Sequence, residues 1–319
     1  MRIVFMGAPV FGVPALEWLI SSQHQVVAVY TQPDRPVGRG RALSSPPVKR
    51  VALEYGLDVL QPESLKQPGA VEFLAQLTPD VIVVAAYGKI MPEEVLSLPP
   101  FGCINLHPSL LPRHRGPSPI PAAILAGDDS TGVSVMLLDV GIDSGPILAQ
   151  RRVAIAPEDT TDSLTKKLAQ IGAQLLEETL PLWLSRALTP QPQVGDATYT
   201  KLLSKEEGEI DWHLPAVDIE RRVRAFYLWP GCYTRWQGKV LKVLEAIPLP
   251  VRLADSDTSF GGERGEPGRV VPLTGGEVGV QTGGGVLRLR RVQLEGRREM
   301  SAEEFLRGQR GFSGALLPC

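Results

Sequence analysis

The sequence predicts an α/β fold: a Rossmann-like, doubly wound, mostly parallel sheet followed by a smaller OB-like β-barrel domain. Three observations predict it. Residues 1–188 alternate short β-branched runs with amphipathic stretches, the pattern of a parallel sheet covered by helices. One run, Asp80-Val-Ile-Val-Val-Ala-Ala, is unbroken, as a strand buried on both faces requires. Beyond residue 206 the texture changes to short strands between Gly-rich turns, with clear alternation in Val286-Leu-Arg-Leu-Arg-Arg-Val.

Taken in order, Arg2 to Met6 reads as the first strand, the turn Gly7-Ala8-Pro9 follows, and a helix runs near Pro14 to Ser22. Val26 to Thr31 is the next strand. Pro46 and Pro47 open a helix whose apolar face is Val48, Val51, Ala52 and Tyr55, stopped by Gly56. A short strand at Asp58 to Leu60 and a helix near Val71 to Leu77 lead into the central strand, which exits at Tyr87-Gly88. A short helix after Pro92, a strand at Gly102 to Leu106, a helix near Ile120 to Ala126, and strands at Gly132 to Leu138 and Pro146 to Ile155 complete the sheet. Leu164, Leu168, Ile171, Leu175 and Leu176 fall at three- and four-residue spacing, so Asp162 to Leu180 is an amphipathic helix that Pro181 kinks or ends. Residues 189–206, with Thr-Pro-Gln-Pro-Gln-Val-Gly-Asp, have the composition of an exposed linker, leaving 207–319 as a second domain. There, strands are expected at 231–236, 239–246, 268–271, 278–281 and 286–293, and Ser301-Ala-Glu-Glu304 is a capping box for a last helix.

Composition excludes several classes of function. With 43% hydrophobic residues and 21% charged, the 319-residue chain is not disordered along its length. Its longest apolar run, Val81 to Tyr87, is far shorter than the ~20 residues that span a bilayer, and the opening Met-Arg-Ile-Val-Phe-Met-Gly is too short a run for a signal peptide. The three cysteines are dispersed, which excludes a disulfide framework and suits a reducing cytoplasm. No metal is expected, because the four histidines show no ligand spacing. The net charge of −2 gives no whole-molecule field for nucleic acid, so charge matters locally.

The sharpest motif is Gly102-Cys-Ile-Asn-Leu-His-Pro-Ser-Leu-Leu-Pro-Arg-His-Arg-Gly116. Strand alternation puts Asn105 and His107 on one face, near the end of a parallel strand where open α/β sheets bind ligands. Asp139-Val-Gly-Ile-Asp143-Ser-Gly follows the next strand, and either Asp139 or Asp143 is placed to accept a hydrogen bond from an imidazole. An amide, an imidazole and a carboxylate suit acyl transfer to an amine, in which an oxyanion needs a donor and the nucleophile must shed protons. Cys103 reads as a small buried residue, Ser109 lacks a nucleophile elbow, and His114 between two arginines is expected on an exposed loop. Gly7-Ala-Pro-Val-Phe-Gly12 lacks the G-x-G-x-x-G spacing, which argues against a nicotinamide-dependent oxidoreductase and for a plain turn. Gln32 to Arg41, continued to Lys49-Arg50, carries five basic residues against one acid with Gly38 and Gly40 between them. A mobile basic loop at the same sheet edge suits a polyanionic substrate.

Asn105-Leu-His107-Pro-Ser-Leu-Leu-Pro112, with Asp143 in its own motif, resembles the signature of the formyltransferases that use 10-formyltetrahydrofolate, among which are enzymes acting on glycinamide ribonucleotide and on amino sugars. Three further features resemble the methionyl-tRNA branch of that family. They are the basic loop Thr31-Gln-Pro-Asp-Arg-Pro-Val-Gly-Arg-Gly, Leu203 to Trp212, and Ile219 to Pro230. The resemblance covers essentially the whole chain. It implies formyl transfer from 10-formyltetrahydrofolate to the α-amine of methionyl-initiator tRNA, by a cytoplasmic monomer whose C-terminal barrel contacts tRNA. It implies Asn105, His107 and Asp143 as the catalytic trio, and Tyr87, Gly88, Ser109, Leu110, Leu111 and Pro112 at the folate. It implies Arg35, Arg39 and Arg41 at the tRNA acceptor end. Pro108 stands where some members have Gly, which stiffens the turn.

Overall fold

The computed structural model describes residues 1–37, 42–249, 265–309 and 311–318. The chain divides into two compact units. The first comprises Met1–Ala123, Asp129–Ala156 and Ser163–Lys201, and the second Ile124–Asp128, Pro157–Asp162 and Leu202–Cys319.

In the first unit the elements run β1 (Arg2–Gly7), α1 (Val13–Ser21), β2 (Gln25–Tyr30), β3 (Arg35–Val37), β4 (Ala42–Ser44), α2 (Pro47–Glu54), β5 (Val59–Leu60), α3 (Ala70–Gln76), β6 (Val81–Ala85), α4 (Glu93–Leu96) and β7 (Cys103–His107). Then come α5 (Pro119–Ala126), β8 (Ser130–Leu137), β9 (Ile147–Ala154) and α6 (Thr161–Leu184), of which the end of α5 from Ile124 and the start of α6 to Asp162 are grouped with the second unit. The seven-stranded sheet has the order β5-β2-β1-β6-β7-β8-β9. Its pairs are parallel from β5 through β7, and β8 and β9 add antiparallel. Every residue of β6 and β7 is buried, as the unbroken apolar run of β6 requires. Gly7 and Gly12 are packing glycines: a Cβ at either would lie 2.8 Å or 3.2 Å from Ala85 O, respectively. The turn between them is therefore built for close approach to β6 rather than for a phosphate.

Pro181 does not end α6, which runs on to Leu184. Pro181 lies on the exposed side of the helix, and Ser185 N donates to Pro181 O at 3.0 Å as the helix closes. The β3–β4 hairpin within the basic loop was not expected from the sequence. Its base is held by Asp34, which accepts from Lys49 Nζ at 2.7 Å and Gln61 Nε2 at 2.9 Å.

The second unit carries α7 (Ala216–Ala225), β10 (Cys232–Trp236), β11 (Lys239–Leu249), β12 (Val270–Pro272), β13 (Val278–Gln281), β14 (Val286–Leu294), β15 (Met300–Ser301) and α8 (Ala302–Gly308). Its antiparallel sheet has the order β10-β11-β14-β13-β12, with β15 on β14, forming a half-barrel. Two register shifts in β11, around Glu245, bend that strand against β14. Trp236, Phe305 and Phe312 meet edge to face beneath it, with ring centroids 4.9 to 5.6 Å apart. The capping box closes as its residue types require: Ser301 Oγ accepts from Glu304 N at 3.1 Å.

Candidate active site

The site is assembled on β7. Asn105 and His107 alternate onto one face of the strand and are buried, 8% and 4% exposed. Because β8 runs antiparallel to β7, with Leu137 opposite Ile104, the chain leaves β8 near the start of β7 and not beyond its end. The 138–146 loop doubles back along β7 to deliver Asp143. Asn105 Nδ2 donates to Asp143 Oδ1 at 3.4 Å, and His107 Nδ1 lies 3.6 Å from Asp143 Oδ2. Gly116 N donates to the same Oδ2 at 2.8 Å.

His107 Nε2 lies 3.0 Å from His114 O. A carbonyl only accepts, so Nε2 carries the hydrogen and Nδ1 is the position facing the carboxylate. Burial pushes the imidazolium of His107 below its ordinary range, while the Asp143 charge and the bond to His114 O pull the other way. The neutral ring is thus the resting form, beside a carboxylate that can hold it once charged.

Of the two candidate carboxylates, Asp139 serves its own turn: Oδ1 accepts from Gly141 N at 3.1 Å and Ser144 Oγ at 2.9 Å. Neither flanking nucleophile is activated. Burial pushes the Cys103 thiol up to about 12, and Ser109 Oγ donates to Arg113 O at 2.6 Å. Among the described residues no cluster of three or more His, Cys, Asp or Glu could hold a metal ion, and no helix is long and apolar enough to cross a membrane.

A family model described as formyl transferase matches residues 1–180, and one described as formyl transferase, C-terminal domain, matches residues 202–310. A methionyl-tRNA formyltransferase of Roseiflexus sp. (strain RS-1) is 50% identical over 319 residues, covering 99% of this chain and 95% of its own. The chain belongs to the methionyl-tRNA formyltransferase family. Among solved structures, the methionyl-tRNA formyltransferase from Clostridium thermocellum superposes with a TM-score of 0.55 at 18% identity, over 77% of this chain and 93% of its own. HypX from Aquifex aeolicus in complex with tetrahydrofolic acid matches with a TM-score of 0.61 at 18% identity, over 99% of this chain. The chain spans about half the length of the HypX chains it matches, covering 48% of this one. At these identities the likeness establishes the fold.

The remaining candidate residues of this formyltransferase fall into three groups. Ser109 to Pro112 form a braced loop: Ser134 Oγ donates to Ser109 O at 2.7 Å and accepts from Leu111 N at 3.1 Å, and Gln150 Nε2 donates to Leu111 O at 2.9 Å. Leu110 packs over Gly132, where a Cβ would lie 2.6 Å from Leu110 Cδ2 and collide with Arg151 O. Gly132→Ala is therefore expected to cost about 1–3 kcal/mol by overpacking, read as a lower denaturant midpoint with unchanged slope.

Tyr87 and Gly88 sit just past β6. The Tyr87 ring is buried in the core and its hydroxyl has no hydrogen-bond partner, while its backbone O accepts from Gln32 Nε2 at 2.7 Å. Gly88 has φ +73°, a conformation natural to glycine. Arg35 is exposed on β3. Arg39 and Arg41 lie outside the described residues.

His114 is not on an exposed loop; it is 9% exposed with φ +58°. The reason is the segment expected to be a plain tether. His114 N donates to Thr198 Oγ1 at 2.8 Å, Arg115 N to Thr198 O at 2.8 Å, and Thr200 N to Arg115 O at 2.7 Å. Residues up to Lys201 therefore group with the first unit. Sequence reasoning missed this brace, and with it Gln193, Arg115 and the Gly116 N–H. The partners of Gln193 lie 48 to 78 positions away, a separation with no local signature.

Proposed function

We propose that the chain transfers the formyl group of 10-formyltetrahydrofolate to the α-amine of methionyl-initiator tRNA, by direct attack of the amine. The observation that carries this is the convergence of Asn105, His107 and Asp143 in a chain half identical to a methionyl-tRNA formyltransferase. Residues 1–188 are the catalytic domain, 189–206 the linker and 207–319 the tRNA-binding domain. The enzyme works as a monomer in a reducing cytoplasm.

The amine lone pair bonds to the formyl carbon, and the carbonyl π pair moves onto oxygen. Asn105 Nδ2–H donates to that oxyanion. The ammonium formed by attack loses a proton to the neutral His107 imidazole, whose charged form Asp143 stabilises. The oxyanion pair then re-forms the C=O bond as the C–N10 bond breaks, the C–N10 pair stays on N10, and N10 takes the proton that His107 holds, which returns the ring to its neutral form. Charge on His107 thus arises together with the oxyanion and not before it. An acyl-enzyme has no support, since Cys103 is a buried thiol and Ser109 is occupied. The backbone at Tyr87 and Gly88 and the braced loop Ser109, Leu110, Leu111 and Pro112 line the folate. Arg35, Arg39 and Arg41 engage the acceptor-end phosphates.

The test is transfer from 10-formyltetrahydrofolate to initiator and elongator methionyl-tRNA, with Arg39→Ala beside the wild type. Transfer selective for the initiator is expected, and Arg39→Ala raises KM for tRNA by about 10-fold, the scale of one charge-assisted contact, with a shallower salt dependence. Turnover only with a small amine or with water would move the chain to another formyltransferase activity. Light scattering is expected to return the 34.6 kDa mass of one chain.

A further inference from the structure

Gln193 lies in the stretch whose composition reads as a tether, yet both ends of its carboxamide are occupied by the loops that carry the site. Nε2 donates to Asp143 O and to Gly145 O, each at 2.8 Å. Oε1 accepts from Arg115 Nε at 3.1 Å and Nη2 at 2.6 Å. The same guanidinium donates from Nη1 to Tyr199 OH at 3.1 Å. One side chain therefore joins the 143–145 turn to the 113–116 loop. That second loop supplies both His114 O, which holds the His107 ring, and Gly116 N, which holds the Asp143 carboxylate.

The turn has an outside tie. Asp143 has φ +47°, in the left-handed region, which aspartate tolerates better than most residues with a Cβ but still at some cost, and the two bonds from Gln193 fall on its own carbonyl and on that of Gly145. Asp139 ties Gly141 and Ser144 but makes no bond to the Asp143 backbone in this turn. The two N–H groups of a carboxamide match two carbonyl oxygens while its own oxygen meets a cation. A carboxylate of the same shape would set lone pairs against those carbonyls, and a methionine of the same length would donate nothing.

We infer that Gln193 is a positioning residue for formyl transfer, acting through Asp143 by fixing its carboxylate against Asn105 and His107. The inference rests on the function proposed above. It is tested in the full-length enzyme with Gln193→Met, Gln193→Glu, Asp143→Asn and the Met/Asn double variant, each measured for kcat, for KM of both substrates and for thermal unfolding. Gln193→Met is expected to lower kcat about 10- to 100-fold, the scale of a small misplacement of a reacting group, with both KM values unchanged. Gln193→Glu, which keeps an acceptor for Arg115 but has no donors, should lose as much. In the Asp143→Asn background the Gln193→Met change should cost almost nothing further, because two residues acting through one group are not additive. Wild-type kcat in either Gln193 variant, a loss confined to KM, or a loss that multiplies with Asp143→Asn would overturn the inference. If Gln193→Met fails to fold, Gln193→Glu carries the same comparisons. Absence of transfer by the wild type is a separate outcome, which sinks the proposed function itself.

Discussion

Asp143→Asn is expected to lower kcat by about 10³-fold or more, close to the ~10⁴-fold loss when the carboxylate partner of a catalytic histidine becomes an amide. The substitution keeps the shape and leaves one oxygen for Gly116 N, which now donates to Oδ2 at 2.8 Å. What it removes is the negative charge 3.6 Å from His107 Nδ1. Burial already holds the imidazolium below its ordinary range, and the Asp143 charge is the largest influence opposing it. Without that charge the His107 value falls further. The sign follows from the role: a base works above its pKa and fails as pH drops through it, so the acid limb of the kcat profile moves to lower pH in the variant even as the plateau falls. Single-turnover rates across the acid range, for wild type and variant, check both effects. A lowered plateau with an unmoved acid limb would mean that His107 is not the group titrating in the rate.

Much of this site was legible before the fold was known, and the reasons are local. Asn105 and His107 share a face because side chains alternate along any strand, so two positions apart suffices. The unbroken apolar run of β6 announced a central strand for the same kind of reason. The helix α7 is less legible, although Ile219 and Val223 sit four apart, with Asp218 in the first turn and Arg222 and Arg224 in the last. Its charged residues masked a short apolar stripe. The choice between Asp139 and Asp143 could not be made from spacing, because it depends on which carboxylate the turn itself consumes; Ser144 and Gly141 take Asp139. Nor could spacing show that the antiparallel β8 sends Asp143 back along β7. The brace at residues 191–200 was illegible for a deeper reason. Its bonds join segments far apart in sequence, and polar residues between prolines look alike whether they meet water or another loop.

Asn105→Ala is expected to lower kcat by about 10²- to 10³-fold, the measured scale for losing one oxyanion donor, or roughly 2.7–4 kcal/mol of transition-state stabilisation. Three features make Asn105 the donor. Its amide is buried, so a hydrogen bond from it meets little competition from water. Its bond to Asp143 Oδ1 is long, at 3.4 Å, so turning Nδ2 toward a developing oxyanion forfeits little in the resting state. Both ring nitrogens of His107 are committed, the Nε2–H to His114 O and the unprotonated Nδ1 to receiving the proton beside Asp143, which leaves the Asn105 amide as the neutral donor beside the pair. Because the interaction forms only as charge develops on oxygen, the loss belongs in kcat, and KM for either substrate stays where it was. Unchanged thermal unfolding is expected beside that loss, since the pairing of β7 to β6 and β8 is made by backbone groups that the substitution leaves in place. Asn105→Asp sharpens the comparison, because it substitutes a second carboxylate beside Asp143 at nearly constant volume. One of the two acids must then hold a proton, and the added carboxyl disturbs the charge that supports His107, so activity should fall at least as far as in the alanine variant. An alanine variant with undiminished kcat, or a loss appearing in KM alone, would remove Asn105 from the oxyanion and leave His107 to stabilise it.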